Sequence, residues 1–111
     1  MNRNNNDNLQ NEKIIKKGLL FKKSKYFGNW KERYIVLTNN YIFSYTDDKP
    51  DAECTMNLVL KECFGPKLLE MDNQKEFGFC FCNDGKIYCF KTTNSQEKNE
   101  WFTTLREALS H

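Results

Sequence analysis

The feature that most limits the fold is a change of hydrophobic periodicity near residue 94. Before it, short apolar or alternating stretches are separated by turn residues, and after it apolar residues recur at helical spacing. The alternation of Phe77, Phe79 and Phe81 places three rings on one face of a strand. The predicted strands cover residues 14–22, 31–38, 41–45, 53–59, 67–71, 76–82 and 86–92.

The final stretch, residues 95–109, is predicted to be one amphipathic helix. Asn94 and Glu97 have the spacing of a capping box, with Ser95 as the alternative cap. Trp101 is the largest apolar ring of the helix, so we expect it in the core. Strands followed by one helix predict an α+β, mainly β fold: a seven-stranded, strongly bent antiparallel sheet or partly open barrel, capped by the C-terminal helix.

Length and composition set the domain organisation. A chain of 111 residues is sufficient for one domain. Residues 1–12 contain six Asn and few apolar groups, so we expect a disordered tail before a domain at 13–111. No run of 18 apolar residues is present and the first residues are polar, which favours a cytoplasmic location and reduced cysteines.

The charge of the chain is unevenly distributed. Residues 13–33 hold eight of the seventeen Lys and Arg residues and a single acid, Glu32, so this segment carries +7 while the whole chain carries +2. Such a distribution gives the molecule one cationic pole that faces an anionic ligand or surface. We interpret the pole as a phosphate-binding loop between two strands, with a solvated basic face as the alternative.

Other chemistries have less support in the sequence. Cys80 and Cys82 could ligate a metal, but the single histidine is His111, so packing thiols are the simpler interpretation. The carboxylates are scattered and form no catalytic set, and no phosphate loop precedes a helix, so we predict neither an enzyme nor a cofactor. A net charge of only +2 argues against nucleic acid as the partner.

The segment GLLFKKSKYFGNWKERYIVLTNNYIFSY, followed much later by Trp101 in a C-terminal helix, resembles a pleckstrin-homology (PH) domain over residues 14–109. Its motif spacing is similar to that of the phosphoinositide-binding PH domains of protein kinase B and the cytohesins. The resemblance implies two nearly orthogonal sheets, a helix at one corner and binding loops at the opposite, open end.

The resemblance also implies a set of ligand-binding residues. The motif is a basic residue at the end of the first strand, then a basic residue and an arginine two positions apart on the second. It falls on Lys22, Lys31 and Arg33, whose side chains can converge because residues two apart share a strand face. Arginine can form two parallel hydrogen bonds to one phosphate. The full inositol phosphate set is Lys22, Lys23, Lys25, Lys31, Arg33 and Ser44.

The loop between these strands carries further expectations. Tyr26 and Phe27 form an apolar tip that could contact a membrane, and Gly28 is free to adopt a positive φ that turns backbone amides toward a phosphate. The resemblance places Asp51 and Tyr88 where strong binders of the family carry basic residues. The preferred phosphoinositide is therefore left open.

The resemblance implies a phosphoinositide-binding module that recruits its parent protein to anionic cytosolic membranes. The alternative is a PH-fold interaction domain without lipid binding, whose basic pole docks on an acidic protein partner. We expect a cytoplasmic monomer that is recruited peripherally to membranes.

Overall fold

The computed structural model describes residues 12–24, 28–69 and 77–110. Its helix, α1, runs over Ser95–Ala108, and one turn of 3-10 helix covers Leu60–Glu62. The strands are β1 (Ile14–Lys23), β2 (Trp30–Thr38), β3 (Tyr41–Tyr45), β4 (Cys54–Val59), β5 (Cys63–Leu69), β6 (Phe77–Asn83) and β7 (Lys86–Thr92).

All neighbouring strands pair antiparallel, in the order β4-β3-β2-β1-β7-β6-β5. The long strand β1 pairs with β2 along its length and with β7 at its end, where Phe21 lies opposite Lys91 and Lys22 opposite Phe90. This strand therefore belongs to both halves of the bent sheet. The predicted seven-stranded, mainly β fold with a C-terminal helix is confirmed.

Strand β5 begins four residues earlier than predicted, at Cys63 instead of Lys67. Its register against β6 shifts between Phe64 and Lys67, and Gly65 has a φ of 117°. A Cβ at Gly65 would lie 3.3 Å from the Phe81 Cα, so the backbones approach closely there. This irregularity interrupts the alternation of side chains, which is why the strand start was missed.

The core lies between the inner faces of the sheet and α1. It includes the buried residues Leu20, Ile35, Leu37, Phe79, Phe81, Phe90, Trp101 and Leu105. The prediction that Trp101 is a core residue is confirmed, because the ring is 3% exposed. Its Cζ2 atom lies 3.8 Å from the position that a Cβ would take at Gly18 of β1. A residue without a side chain thus leaves room for the helix to rest on the sheet.

Helix α1 begins where the sequence predicted. The Asn94 side chain accepts a hydrogen bond of 2.8 Å from the backbone N–H of Glu97. The helix packs against β5, β6 and β7, and Lys16 near the start of β1 contacts it as well. The Lys16 Nζ lies 3.6 Å from the Glu100 Oε1 and 5.3 Å from the centroid of the Trp101 ring. The Lys16 side chain therefore interacts with the helix.

A second apolar cluster covers the outer face of β2 and β3, which the sequence did not predict. Val36, Phe43 and Tyr45 are buried there, with Tyr34 and Ala52 packed against them. The segment between β3 and β4 returns across this face and buries it. The outer face of β2 and β3 is therefore apolar and buried around these residues.

Glu12, which the sequence assigned to the tail, contacts the turn between β2 and β3. Its carboxylate accepts hydrogen bonds from the Thr38 hydroxyl at 2.9 Å and from the backbone and side-chain nitrogens of Asn40 at 3.1 Å each. The ordered part of the domain thus includes Glu12. The rest of the predicted tail lies outside the described residues.

Candidate phosphate-binding site

The register of β1 and β2 brings three predicted ligand residues onto one face. Lys22 lies directly opposite Lys31, and Leu20 lies opposite Arg33. Since directly opposed residues share a face, all three cations lie on the same inner face as the buried Leu20. They occupy the end of that face beyond the core, away from α1.

Electrostatics make this position unfavourable for positive charge. Lys22 is half-buried, and within the described residues neither Lys22, Lys31 nor Arg33 has an ion pair with a carboxylate. Burial lowers the pKa of Lys22, and the nearby Arg33 guanidinium lowers that pKa further. An arriving anion would relieve both effects, because it would supply the missing counter-charge.

Lys22 and Arg33 each contact one neighbouring group. The Lys22 Nζ lies 5.9 Å from the centroid of the Tyr88 ring, within the range of a cation–π interaction. The Arg33 Nη1 donates a hydrogen bond of 3.0 Å to the carbonyl oxygen of Glu32. One edge of the guanidinium is thereby held by the backbone, while other N–H groups of the same side chain can still bind a phosphate.

A cavity of about 630 Å³ opens beside these cations at the same end of the sheet. Three segments form it: the end of β1, the middle of β4 and the start of β7. Its lining residues are Lys22, Lys23, Ser24, Thr55, Met56, Asn57, Leu58, Lys86, Ile87, Tyr88 and Cys89. Lys31 and Arg33 lie on the neighbouring strand β2 and are not part of the lining. Lys22 therefore lines the cavity, while Lys31 and Arg33 lie beside it.

The loop between β1 and β2 is closed at its base. The backbone N–H of Ser24 donates to the carbonyl oxygen of Asn29, and Gly28 has a φ of 68°, which confirms the predicted positive φ at this glycine. Lys23 is exposed and lies opposite Trp30, on the face opposite to that of Lys22. The predicted contacts of Lys25, Tyr26 and Phe27 lie outside the described residues.

Ser44 lies on β3 as predicted, but its side chain is not accessible to a ligand. Its residue is fully buried, and its hydroxyl oxygen is 3.0 Å from the Thr55 Oγ1, which also lies 3.1 Å from the Ser44 carbonyl oxygen. A buried side chain held in this way cannot reach a ligand. Ser44 is not among the residues that line the cavity, whereas the hydroxyl residues Ser24, Thr55 and Tyr88 are.

The sequence did not predict that Lys86 and Thr55 line the cavity. Tyr88 was noted only as a position at which strong binders of the family carry a basic residue. The Asn83-Asp84-Gly85 turn was a signal, because it placed Lys86 at the tip of a hairpin. That this tip lies beside the end of β1 depends on the pairing of β1 with β7, which no local motif reveals.

The acidic segment between β3 and β4 lies on the other side of the sheet. A recess of about 180 Å³ on the outer face is lined by Tyr34, Val36, Tyr45, Asp47, Asp48, Lys49, Pro50 and Ala52. Tyr34 follows Arg33 directly, so the two side chains point to opposite faces. The sheet therefore separates these acids from the cations of the inner face.

The cysteines and the helix show no alternative site within the described residues. None of the five cysteines forms a disulfide, and no group of three or more potential metal ligands occurs in this part of the chain. Burial raises the pKa of the Cys54, Cys63 and Cys89 thiols. None of the described helical segments is long and apolar enough to cross a membrane.

Comparison with known proteins defines the class. The sequence profile described as PH domain matches residues 14–110, and the chain belongs to the PH domain family. The zebrafish (Danio rerio) protein "Differentially expressed in FDCP 6 homolog" is 26% identical over 97 residues. The match covers 86% of this chain but only 16% of that protein, so the chain spans a small part of its curated relative.

Two solved structures of PH domains are similar to this chain. The Slm1 PH domain in complex with D-myo-inositol-4-phosphate is 25% identical, with a TM-score of 0.72 over 89% of this chain and 98% of that chain. The C-terminal PH domain of pleckstrin in complex with D-myo-Ins(1,2,3,5,6)P5 is 23% identical, with a TM-score of 0.74 over 86% of this chain and 95% of that chain.

Proposed function

We propose that this domain binds phosphoinositide headgroups at its cationic end and thereby holds its parent protein at anionic membranes. The observation that carries the proposal is the convergence of Lys22, Lys31 and Arg33 on one inner face without carboxylate partners among the described residues. The inositol phosphate bound by the related Slm1 PH domain supports the same ligand class.

Each residue has a distinct role in this proposal. Arg33 binds one phosphate group through two N–H donors, whereas Lys22 and Lys31 act as mobile point charges on either side of it. Lys86 adds a further cation from the cavity wall. Five or six cations near an anionic surface suffice for membrane residence, because each contributes about 1 kcal/mol.

Vesicle binding tests the proposal directly. Vesicles with phosphoinositides are compared with phosphatidylserine vesicles of equal surface charge, for the wild type, for Arg33→Ala and for the control Lys17→Ala. Lys17 is an exposed cation of β1 on the outer face, well away from Lys22. We expect Arg33→Ala to weaken phosphoinositide binding about tenfold, the effect of losing a charge-assisted pair of hydrogen bonds.

The control variant should bind nearly as the wild type does. Phosphoinositide binding by Arg33→Ala at wild-type strength would contradict the pocket. If the folded domain ignores phosphoinositides at moderate salt, the interaction domain for an acidic protein becomes the better account.

A further inference from the structure

Two exposed large hydrophobic side chains, the most exposed among the described residues, form a row on the outer face of the second half of the sheet. Ile87 of β7 is 70% exposed and Phe64 of β5 is 61% exposed. Both lie directly opposite Cys82 of the strand between them, so all three side chains share the outer face. Neighbouring strands are about 4.8 Å apart, which places Phe64 and Ile87 about 10 Å from each other.

This apolar row is continuous with the candidate phosphate-binding site. A recess of about 240 Å³ lies along the row and is lined by Phe64, Gly65, Cys80, Phe81, Cys82 and Ile87. Ile87 also lines the basic cavity, next to Lys86. The same residue thus borders the cationic cavity on one side and the apolar recess on the other.

The charges around the row identify the surface that it fits. Lys22, Lys23 and Lys86 line the adjoining cavity, while the hairpin tip also carries Asp84, which Lys86 offsets. Cations beside exposed apolar groups are the pattern of a membrane interface, where phosphates meet the cations and apolar side chains enter the boundary of the acyl chains. A protein surface would need matching carboxylates and an apolar pocket together.

We propose that Phe64 and Ile87 form a second membrane contact, which inserts into the headgroup–acyl boundary when the cationic end binds lipid. This inference rests on the proposed phosphoinositide binding. It assigns the orientation of the domain: the hairpin between β6 and β7 faces the bilayer together with the end of β1. The helix end, with Lys16 and Trp101, faces away from it.

The test separates membrane contact from headgroup binding. The double variant Phe64→Ser/Ile87→Ser is compared with Ile15→Ser, which removes a 46% exposed side chain at the start of β1, the opposite end of the strand from Lys22. All proteins are titrated with soluble inositol hexakisphosphate and with phosphatidylcholine vesicles that contain 5% of a phosphoinositide, after circular dichroism has verified folding.

We expect the double variant to bind vesicles about tenfold more weakly, since two partly inserted apolar side chains are lost. The single variant Phe64→Ser leaves the lining of the basic cavity intact, so it should weaken vesicle binding about threefold and bind the soluble inositol phosphate as the wild type does. Ile15→Ser should match the wild type in both titrations. Unchanged vesicle binding by the double variant, with headgroup binding intact, would overturn the membrane contact and leave the proposed function standing.

Two other outcomes would also overturn the inference. A wild type that binds neither the soluble ligand nor the vesicles would remove the proposed function and the membrane contact together. A wild-type dimer in sedimentation velocity that becomes monomeric in the double variant would assign the row to a second copy of this chain.

A direct depth measurement avoids any dependence on affinity. The variant Ile87→Trp adds fluorescence that brominated lipids quench if the side chain enters the bilayer, and Ile15→Trp is the matched control. Quenching of the added signal at position 87 and not at position 15 is expected. Equal quenching at both positions, or none at position 87, would contradict the proposed orientation.

Discussion

Lys22 occupies a position that is unfavourable for its positive charge in the folded domain. Its ammonium group is half-buried, faces Arg33 and has no carboxylate partner among the described residues. Burial and the Arg33 charge lower its pKa, so the folded state disfavours the protonated form. A lysine whose role was structural would be expected to have an opposite charge beside it.

Lys22→Met should therefore separate the two properties, because methionine keeps an apolar stem without the charge. We expect the free energy of unfolding at pH 7 to rise by about 0.5 kcal/mol, the size of a partly solvated like-charge contact. The affinity for soluble inositol phosphates should fall. Chemical denaturation and calorimetry measure the two effects, with Lys17→Met as the control.

The sign of the pH dependence follows from the lowered pKa. Below the folded-state pKa, Lys22 is charged in both states and its unfavourable contribution is complete. Between that value and the ordinary 10.5, the unfolded state binds more protons, so this contribution diminishes as pH rises. The difference in the free energy of unfolding between Lys22→Met and the wild type should therefore decrease over that pH range. A variant less stable than the wild type at pH 7 would contradict this account.

Tyr45 presents the opposite case, a polar group within an apolar cluster. Its hydroxyl is buried and has no hydrogen-bond partner among the described residues. Burial, together with the neighbouring Cys54, raises its pKa to about 12. Tyr45→Phe should increase the free energy of unfolding by about 1 kcal/mol, since the penalty of an unsatisfied hydroxyl disappears.

The raised pKa of Tyr45 also predicts a loss of stability in alkali. Because its pKa is higher in the folded state than in the unfolded state, folding favours the protonated phenol. The resulting contribution to the free energy of unfolding is complete below about pH 10 and is lost as pH rises to about 12. Thermal unfolding of wild type and Tyr45→Phe at neutral and alkaline pH measures it. A Tyr45→Phe protein that is less stable at pH 7 would show that the hydroxyl makes a favourable contact.

At the scale of elements, Trp101 is the largest of the buried side chains that attach α1 to the sheet, together with Leu105. Trp101 is 3% exposed and fills the space over Gly18. Trp101→Ala should lower the free energy of unfolding by about 3 to 5 kcal/mol, the usual effect of removing a buried aromatic ring. Thr103→Ala, at an exposed position of the same helix, should change it little. Urea denaturation of both variants measures the difference, and similar losses in the two would exclude this role.

The sequence predicted the elements wherever the local pattern was regular. The alternation of the β6 phenylalanines and the cap at Asn94 appear as expected, because each depends on neighbours within a few residues. Strand β5 was placed too late because Gly65 interrupts its alternation. The buried outer face around Tyr45 was missed because its cover comes from a loop, which leaves no period in the sequence.

The same reasoning explains what could be foreseen of the site. Lys22, Lys31 and Arg33 are positioned by two adjacent strands, so their spacing along the chain already indicates a shared face. Thr55 and Lys86 reach the cavity from β4 and β7, which come near the end of β1 only through the closure of the whole sheet. Ser44 was assigned from the family resemblance alone, and its burial depends on the packing of β4 beside it.

At the scale of the whole molecule, the lysines at the two ends of β1 have different surroundings. Near its start, Lys16 is tied to Glu100 and Trp101 of the helix. At its end, Lys22 faces an open cavity beside two hairpins. Since a strand rises about 3.4 Å per residue, these two lysines lie about 20 Å apart. The segment of +7 charge thus divides into cations that hold the fold and cations available to a ligand.

The central claim is that the cationic end binds inositol phosphates, and an amide chemical-shift titration with inositol hexakisphosphate tests it most directly. The account predicts saturable shifts concentrated at residues 22–24, 28–33, 55–58 and 86–89, with α1 almost unchanged. Arg33→Ala should weaken the titration and leave the shifted region the same. Shifts centred on α1, or no saturable shifts in a folded domain, would contradict the account.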